Sequence, residues 1–363
     1  ATFVNAQGLI QSTASNDAPR LDYSTGAEAF LLEPQSTNLV TQSEDFSNAS
    51  WLKSASLITP NSEISPDGTL NADKLIANTS LTANHYVYKN ISASNSTNYS
   101  YSFFAKKGEY NYVSTYIGAL GGAYAWDLEN GVVTLGNAFI ENYGNGWYKC
   151  GLNATSTSTT ISCRIYVNKF LSNYTSYTGD GTSGIYIYGA QLEQNSFSTS
   201  YIPTQGASAT RNQELCTNAT PVINSEEGTL YAEISALAND LTNRKISISN
   251  GSSTQRILLS YSTISNALVF QVVNSTLQVN LSYILTDIKL LTKVAVKWKL
   301  NNFALWVNGV EVAIDSSGLT PIGLTELSFD RGFAGENFFG NTKGLKVYPK
   351  ALADVQLQDL TTI

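Results

Sequence analysis

A chain of 363 residues with a formal charge of −7 is long enough for two ordinary domains. It has no run of Lys and Arg to neutralise phosphates, which excludes nucleic acid as a partner, and no apolar run near the roughly 18 residues that span a bilayer, so no membrane insertion is expected. Charged residues make up only 13% of the chain, which also holds 21 Tyr, 14 Phe and 5 Trp; with Ser, Thr and Asn filling the surface, this composition suits sheet exteriors and not long solvated helices.

Residues 1–45 read as extended pieces broken by turns: FVNAQGLI, a polar gap, RLDY, a turn at Ser24-Thr25-Gly26, then AFLLEP. They show no helical period and too few apolar residues for a core. This extended N-terminal segment is therefore expected to lie against a domain or a neighbouring chain.

From 46 to 210, short alternating runs such as HYVYKNISA, NYSYSFFAKKG, GAYAWDLENG, TISCRIYVN and GIYIYGAQLEQ are separated by Gly, Asn and Ser clusters. That is the pattern of an antiparallel β-sandwich of jelly-roll type. Asn130-Gly131 has the composition of a tight hairpin turn. Cys150 and Cys163 flank a turn near Ser156 and Thr157; a hairpin there would set them opposite one another, either as a cross-strand disulfide or as two buried thiols. In the last strand Ile185, Ile187 and Gly189 alternate with Tyr186, Tyr188 and Ala190. Phe197, Tyr201 and Ile202 then supply apolar anchors, and Pro203 fixes the exit direction.

Across 211–363 the pattern restarts with GTLYAEISAL, RKISISNG, RILLSYS, NALVFQVVN, KVAVKWKL and FALWVNGVEVAID, with Asn308-Gly309 as a second hairpin turn. The terminal LADVQLQDLTTI is the one helix-like segment, with Leu352, Val355 and Leu360 able to face inward and plug an end of the second sandwich. The fold class is all-β: two tandem antiparallel β-sandwiches preceded by an extended segment.

Little in the sequence supports covalent chemistry. His85 is the sole histidine, and it lacks the HxH or HExxH spacing of a metal site and a GxSxG elbow to complete a Ser-His-acid triad. Glycoside hydrolysis needs two carboxylates about 5–9 Å apart. Asp127 with Glu129, or Glu193 with Glu44, are the pairs to consider, although acids beside an Asn-Gly turn are ordinary. An enzyme is not expected.

Sugar recognition needs flat aromatic faces with short polar side chains around them. The first sandwich offers Tyr86, Tyr88, Tyr99, Tyr101, Tyr110, Tyr112, Tyr116, Tyr124, Trp126, Trp147 and Tyr148. Most strand aromatics fill cores, and Trp51, Trp147, Trp298 and Trp306 are assigned there. Tyr124 and Trp126 share one strand face near a hairpin end and are the pair expected to stack on a sugar.

Several phrases resemble a known family. FVNAQGLIQ, APRLDYSTG and AFLLEPQSTNLVTQSEDFSNASW are similar to the opening, and GAQLEQNSFSTSYIPTQGASATRN to the closing phrase, of a structural module widespread in tailed-phage and prophage tail or fibre proteins, with Ser36 where that family usually has Arg. FALWVNGVEVAID and GNTKGLKVYPKALADVQLQDL resemble concanavalin A-like or laminin-G-like sandwiches. The resemblance implies a carbohydrate-binding-like jelly roll at 46–210 and a laminin-G-like domain at 211–363. It further implies a place at a virion periphery beside other virion proteins, often as a homotrimer, recognising host-surface glycans; a purely structural fibre, capsid decoration or adaptor is the alternative. Jelly-roll sugar modules often tie their first and last strands with a structural Ca²⁺, and Glu44, Asp45 and Glu193 lie in the matching phrases. Ca²⁺ takes six or more oxygens, of which these residues supply three.

Overall fold

The computed structural model describes residues 1–13, 18–24, 26–171 and 175–363; Thr25 of the expected Ser24-Thr25-Gly26 turn lies outside them. The chain divides into two compact units. One comprises Ala1–Ala27 with Gln35–Asn212, the other Glu28–Pro34 with Gln213–Ile363. Among the described residues no helix is long and apolar enough to cross a membrane.

The first unit is a sandwich of two six-stranded antiparallel sheets. One runs in the order Ala138–Asn142, Trp147–Thr155, Asn98–Lys107, Gly184–Glu193, Leu70–Ala77, Ser56–Ile64. The other runs Val132–Leu135, Gly122–Asp127, Tyr112–Ile117, Thr160–Asn168, Tyr86–Ser92, Leu52–Ser54. The side-chain period of two directs Tyr99, Tyr101 and Phe103 of one sheet and Val113, Ile161, Cys163, Ile165 and Val167 of the other into one shared core.

The alternation expected of the closing strand is interrupted. Ile185 and Ile187 face the core and Tyr188 the outside, but the pairing register shifts opposite Ser102 and Phe104. Gly189 sits there at φ 61°, and a Cβ on it would stand 2.9 Å from the Phe104 ring. This is a β-bulge that only glycine fits comfortably. It resets parity, so that Ala190 and Leu192 return to the core.

Cys150 and Cys163 do not face each other across a hairpin. Their strands belong to opposite sheets, because the intervening turn crosses the sandwich, with Ser156 N–H donating to Thr97 O and Thr157 N–H to Ala119 O. Both are free, buried thiols, and burial pushes both upward in pKa.

The N-terminal segment is not a separate part. Thr2–Val4 pairs with Ile10–Ser12, and Ser36–Asn38 with Ala209–Arg211, all in the first unit. Ala29–Leu32 instead pairs with Gly340–Tyr348 of the second unit, where Leu32 enters the core.

The second unit stacks a sheet ordered Val310–Asp315, Phe303–Val307, Thr292–Lys299, Glu227–Ala236, Gly340–Tyr348, Ala29–Leu32 on one ordered Thr276–Ile284, Ala267–Asn274, Gln255–Tyr261, Arg244–Ser249, Glu326–Ser328. Asn308 and Gly309, at φ 48° and 82°, form the two-residue turn their composition predicts. Trp298 lies in the main core. The terminal helix, Asp354–Thr361, does not plug an end of the sandwich. It buries Leu357 against Ala295, Ala304 and Trp306 on the outer side of a sheet, with Leu352 half-buried beside it. Val355, expected inward, is exposed, since the inward stripe of this short helix falls on 357 and 361.

Candidate functional site

Tyr124 and Trp126 do share a face, and it is the inner one. Gly122–Asp127 lies between two neighbours in its sheet, and its even-numbered side chains fill the space between the sheets. Trp126 is completely buried, meets Phe103 edge-on at 5.6 Å between ring centres, and donates from Nε1 to Phe139 O at 2.8 Å. Tyr124 is 8% exposed and donates its hydroxyl to Leu120 O. Neither ring offers a face to a ligand, so the sugar-stacking role expected of this pair is corrected to a core role.

The expected calcium ligands are likewise occupied locally. Glu193 is buried and accepts from Ser36 Oγ at 2.6 Å, Thr199 N at 3.1 Å and Thr199 Oγ1. Ser36, standing where the resembled family has Arg, thus meets this carboxylate directly. Glu44 accepts from the hydroxyls of Tyr188 at 2.9 Å and Tyr201 at 3.0 Å. Burial raises its pKa, against the lowering effect of those hydrogen bonds. Asp45 accepts from Ser47 Oγ at 2.6 Å and Asn48 N at 3.0 Å, closing a turn. Among the described residues no three His, Cys, Asp or Glu gather as a metal site, and Glu44, Asp45 and Glu193 do not make a calcium cradle.

The other candidates for chemistry are also engaged. His85 is buried, with its ring nitrogens against Ala55 O and Tyr177 O. Asp127 accepts from Glu129 N and Asn130 Nδ2, both at 2.8 Å, and so shapes its turn. Glu129 pairs with Lys107.

A different constellation stands on the outer face of the second sheet. In Thr160–Asn168, Ile161, Cys163, Ile165 and Val167 point inward, so Ser162, Arg164 and Tyr166 point out. Register places Tyr88 opposite Arg164 and Tyr86 opposite Tyr166, while Tyr116 comes from Tyr112–Ile117. Tyr86 stacks on the buried Tyr166 at 4.4 Å and 25° and meets Tyr88 at 5.5 Å. The Arg164 guanidinium lies 5.5 Å from the Tyr86 ring centre and 6.0 Å from those of Tyr88 and Tyr116, within the range of cation–π attraction. It donates from Nε to Ser162 Oγ at 3.1 Å and from Nη1 to the Tyr166 hydroxyl at 3.2 Å. Tyr86, Tyr88 and Arg164 are half-buried, and Tyr116 is 37% exposed.

The result is an aromatic platform with a held cation at its centre. Tyr86, Tyr88 and Tyr116 are among the aromatics singled out in the sequence, but Arg164 is not. Its signal is in TISCRIYVN, where four apolar residues of one parity leave Ser162, Arg164 and Tyr166 on the other.

The second unit has one cation–aromatic cluster of its own: Arg331 lies 4.1 Å and Arg256 5.2 Å from the Phe333 ring centre. There Glu336 supplies the opposing charge, paired with Lys245 at 2.8 Å and acting on both arginines.

No family model matches the chain, and no curated protein matches it. Among solved structures it is similar to the CBM40 of the Ruminococcus gnavus IT-sialidase bound to α2,3-sialyllactose, at 17% identity over 38% of this chain and 84% of that one, with a TM-score of 0.33. It is also similar to a heptameric SAP-like pentraxin from Limulus polyphemus, at 16% identity over 39% of this chain and 72% of that one, with a TM-score of 0.33. Mouse laminin α1 domains LG4-5 align over 94% of this chain and 96% of that one at 9% identity, with a TM-score of 0.29. Likenesses this distant do not bear on ligand or reaction, and the functional reading rests on the site itself.

Proposed function

We propose that this chain is a non-covalent glycan-recognition protein whose first sandwich binds saccharide on the platform of Tyr86, Tyr88 and Tyr116 around Arg164. The observation that carries this is a half-buried arginine flanked by tyrosines on a sheet face, in a molecule where the pair expected to stack on a sugar, Tyr124 and Trp126, is buried. Tyrosine faces stack on the apolar C–H side of a sugar ring, while the guanidinium and Ser162 supply directional hydrogen bonds to its polar groups. No bond in the ligand is broken in this reading.

The fibre-like phrases at both ends of the first unit support a setting at a virion periphery, as a homotrimer among other virion proteins and facing a host-surface glycan. Repetition of one weak site in such an assembly would raise avidity without new contacts. A purely structural virion component is the rival, and the same exposed rings favour it if they pack against a symmetry mate.

A glycan array probed with the full chain and with Tyr86→Ala and Tyr88→Ala decides between them. Binding by the parent that both substitutions weaken at least tenfold is expected. No binding to any presented glycan, together with loss of oligomer in light scattering on the same substitutions, would establish the rival.

A further inference from the structure

We propose that Arg164 makes this face selective for an acidic saccharide, one whose sugar ring carries a carboxylate. The inference rests on the reading that the face binds saccharide, and names the class it takes.

A guanidinium has five N–H donors in a fixed fork. Among the described residues two are used, Nε on Ser162 and one N–H of Nη1 on Tyr166, which leaves three, including both on Nη2. Among the described residues no carboxylate pairs with Arg164, whereas on the same sandwich Lys74 pairs with Glu109, Lys106 with Glu63 and Lys107 with Glu129. Asp127, an acid on the same outer parity of the sheet, pairs in register with Tyr112 and spends its oxygens on the turn at Glu129 and Asn130. Among the described residues, then, Arg164 is a half-desolvated cation whose charge no neighbour cancels.

Such a cation costs hydration free energy that the surrounding rings offset only in part. A carboxylate seated on its open edge would restore the lost interaction through parallel charge-assisted hydrogen bonds. The remainder of that sugar would then rest beside Tyr88 and Tyr116. Lysine would not reproduce this, since an ammonium neither stacks broadside among rings nor presents a planar fork.

The test is calorimetric titration of the full chain with oligosaccharides ending in sialic acid or a hexuronic acid. Each is paired with its carboxyl methyl ester and with a sulfated neutral counterpart, and Arg164→Gln and Arg164→Lys are run beside the parent. Thermal melts confirm that both variants fold. The acid is expected to bind at least tenfold more tightly than its ester, about 1.4 kcal/mol. Arg164→Gln should reduce that ratio to near one while retaining ester binding, and Arg164→Lys should recover only part of it.

Equal affinity for acid and ester would overturn the acidic-sugar assignment and leave glycan recognition standing. Sulfated sugars binding as tightly as carboxylated ones would overturn the commitment to a carboxylate, and an acid preference that survives in Arg164→Gln would overturn the residue. Failure of every saccharide would overturn this inference and the proposed function together.

Discussion

The two outer faces of the first sandwich begin from similar material and end differently. On one sheet Phe104, Trp147 and Tyr188 point outward, as Tyr86, Tyr88 and Tyr116 do on the other. The first set is overlaid by Ile10 from the N-terminal segment and Tyr201 from the closing phrase, and all five residues form a second small core in which none exceeds 8% exposure. Tyr188 there shares its hydroxyl between Glu44 and Asp67, at 2.9 and 3.0 Å, and Trp147 donates to Ile64 O at 2.8 Å. In the second set Tyr86 and Tyr88 stay half-buried and Tyr116 is 37% exposed around Arg164. Aromatic content on a strand thus says nothing about ligand binding until it is known which chain segments return to cover it.

The largest effect that sharpens this contrast is on the covered face. Phe104 meets Tyr143, Tyr188 and Tyr201 at 4.9, 5.9 and 5.8 Å and closes on the Gly189 bulge. Phe104→Ala should lower unfolding free energy by about 3–5 kcal/mol, as for other buried aromatic truncations, read from the urea midpoint at constant slope. A loss below about 1 kcal/mol would mean the overlay is loose and the two faces are alike.

A smaller effect follows from Asp73, in the Leu70–Ala77 strand of the covered sheet. Its carboxylate accepts from Phe46 N at 2.9 Å and Asn61 N at 3.0 Å, yet burial outweighs those bonds and raises its pKa from 3.8 to about 6. Between those values the folded chain holds more proton than the unfolded one. This contribution to stability is therefore complete below about pH 4 and is lost as pH rises through about 6. Asp73→Asn should flatten the fall of melting temperature across that window, a difference of order 1 kcal/mol once solvent screening is allowed for. An unchanged slope in the variant would show that Asp73 does not titrate there. Substitutions on the open face should leave the slope alone.

How much of this was readable from sequence varies with the distance over which each feature is decided. Two all-β sandwiches and the Asn308-Gly309 turn are set by near neighbours and by the period of two, and they appear as expected. The same period correctly pairs Tyr124 with Trp126 but cannot say which side faces the opposing sheet, and that is how the sugar-stacking role came to be placed on core residues. Parity beyond Gly189 was misread because a bulge inserts one residue without a strong local signal. The N-terminal segment was illegible for a further reason: Ser36 pairs with Arg211 and Phe30 with Thr342, partners far off in the chain that no local pattern specifies. Arg164 was legible in principle, as an outward residue between apolar inward ones, but that no described carboxylate pairs with it emerges only when three strands meet.

The smallest effect on stability should come from the open face, at Tyr88. Removing its ring forfeits one cation–π contact with Arg164 at 6.0 Å and one ring contact with Tyr86 at 5.5 Å, each worth about 0.5 kcal/mol, the low end for such contacts. Water can refill the space, so no sealed cavity adds to the cost. Tyr88→Ala should therefore unfold within about 1 kcal/mol of the parent while losing saccharide affinity at least tenfold. That dissociation of binding from stability is what separates a platform from a second core. If Tyr88→Ala instead destabilises as much as Phe104→Ala, the face is not open in solution, and its rings are covered by another copy of the chain.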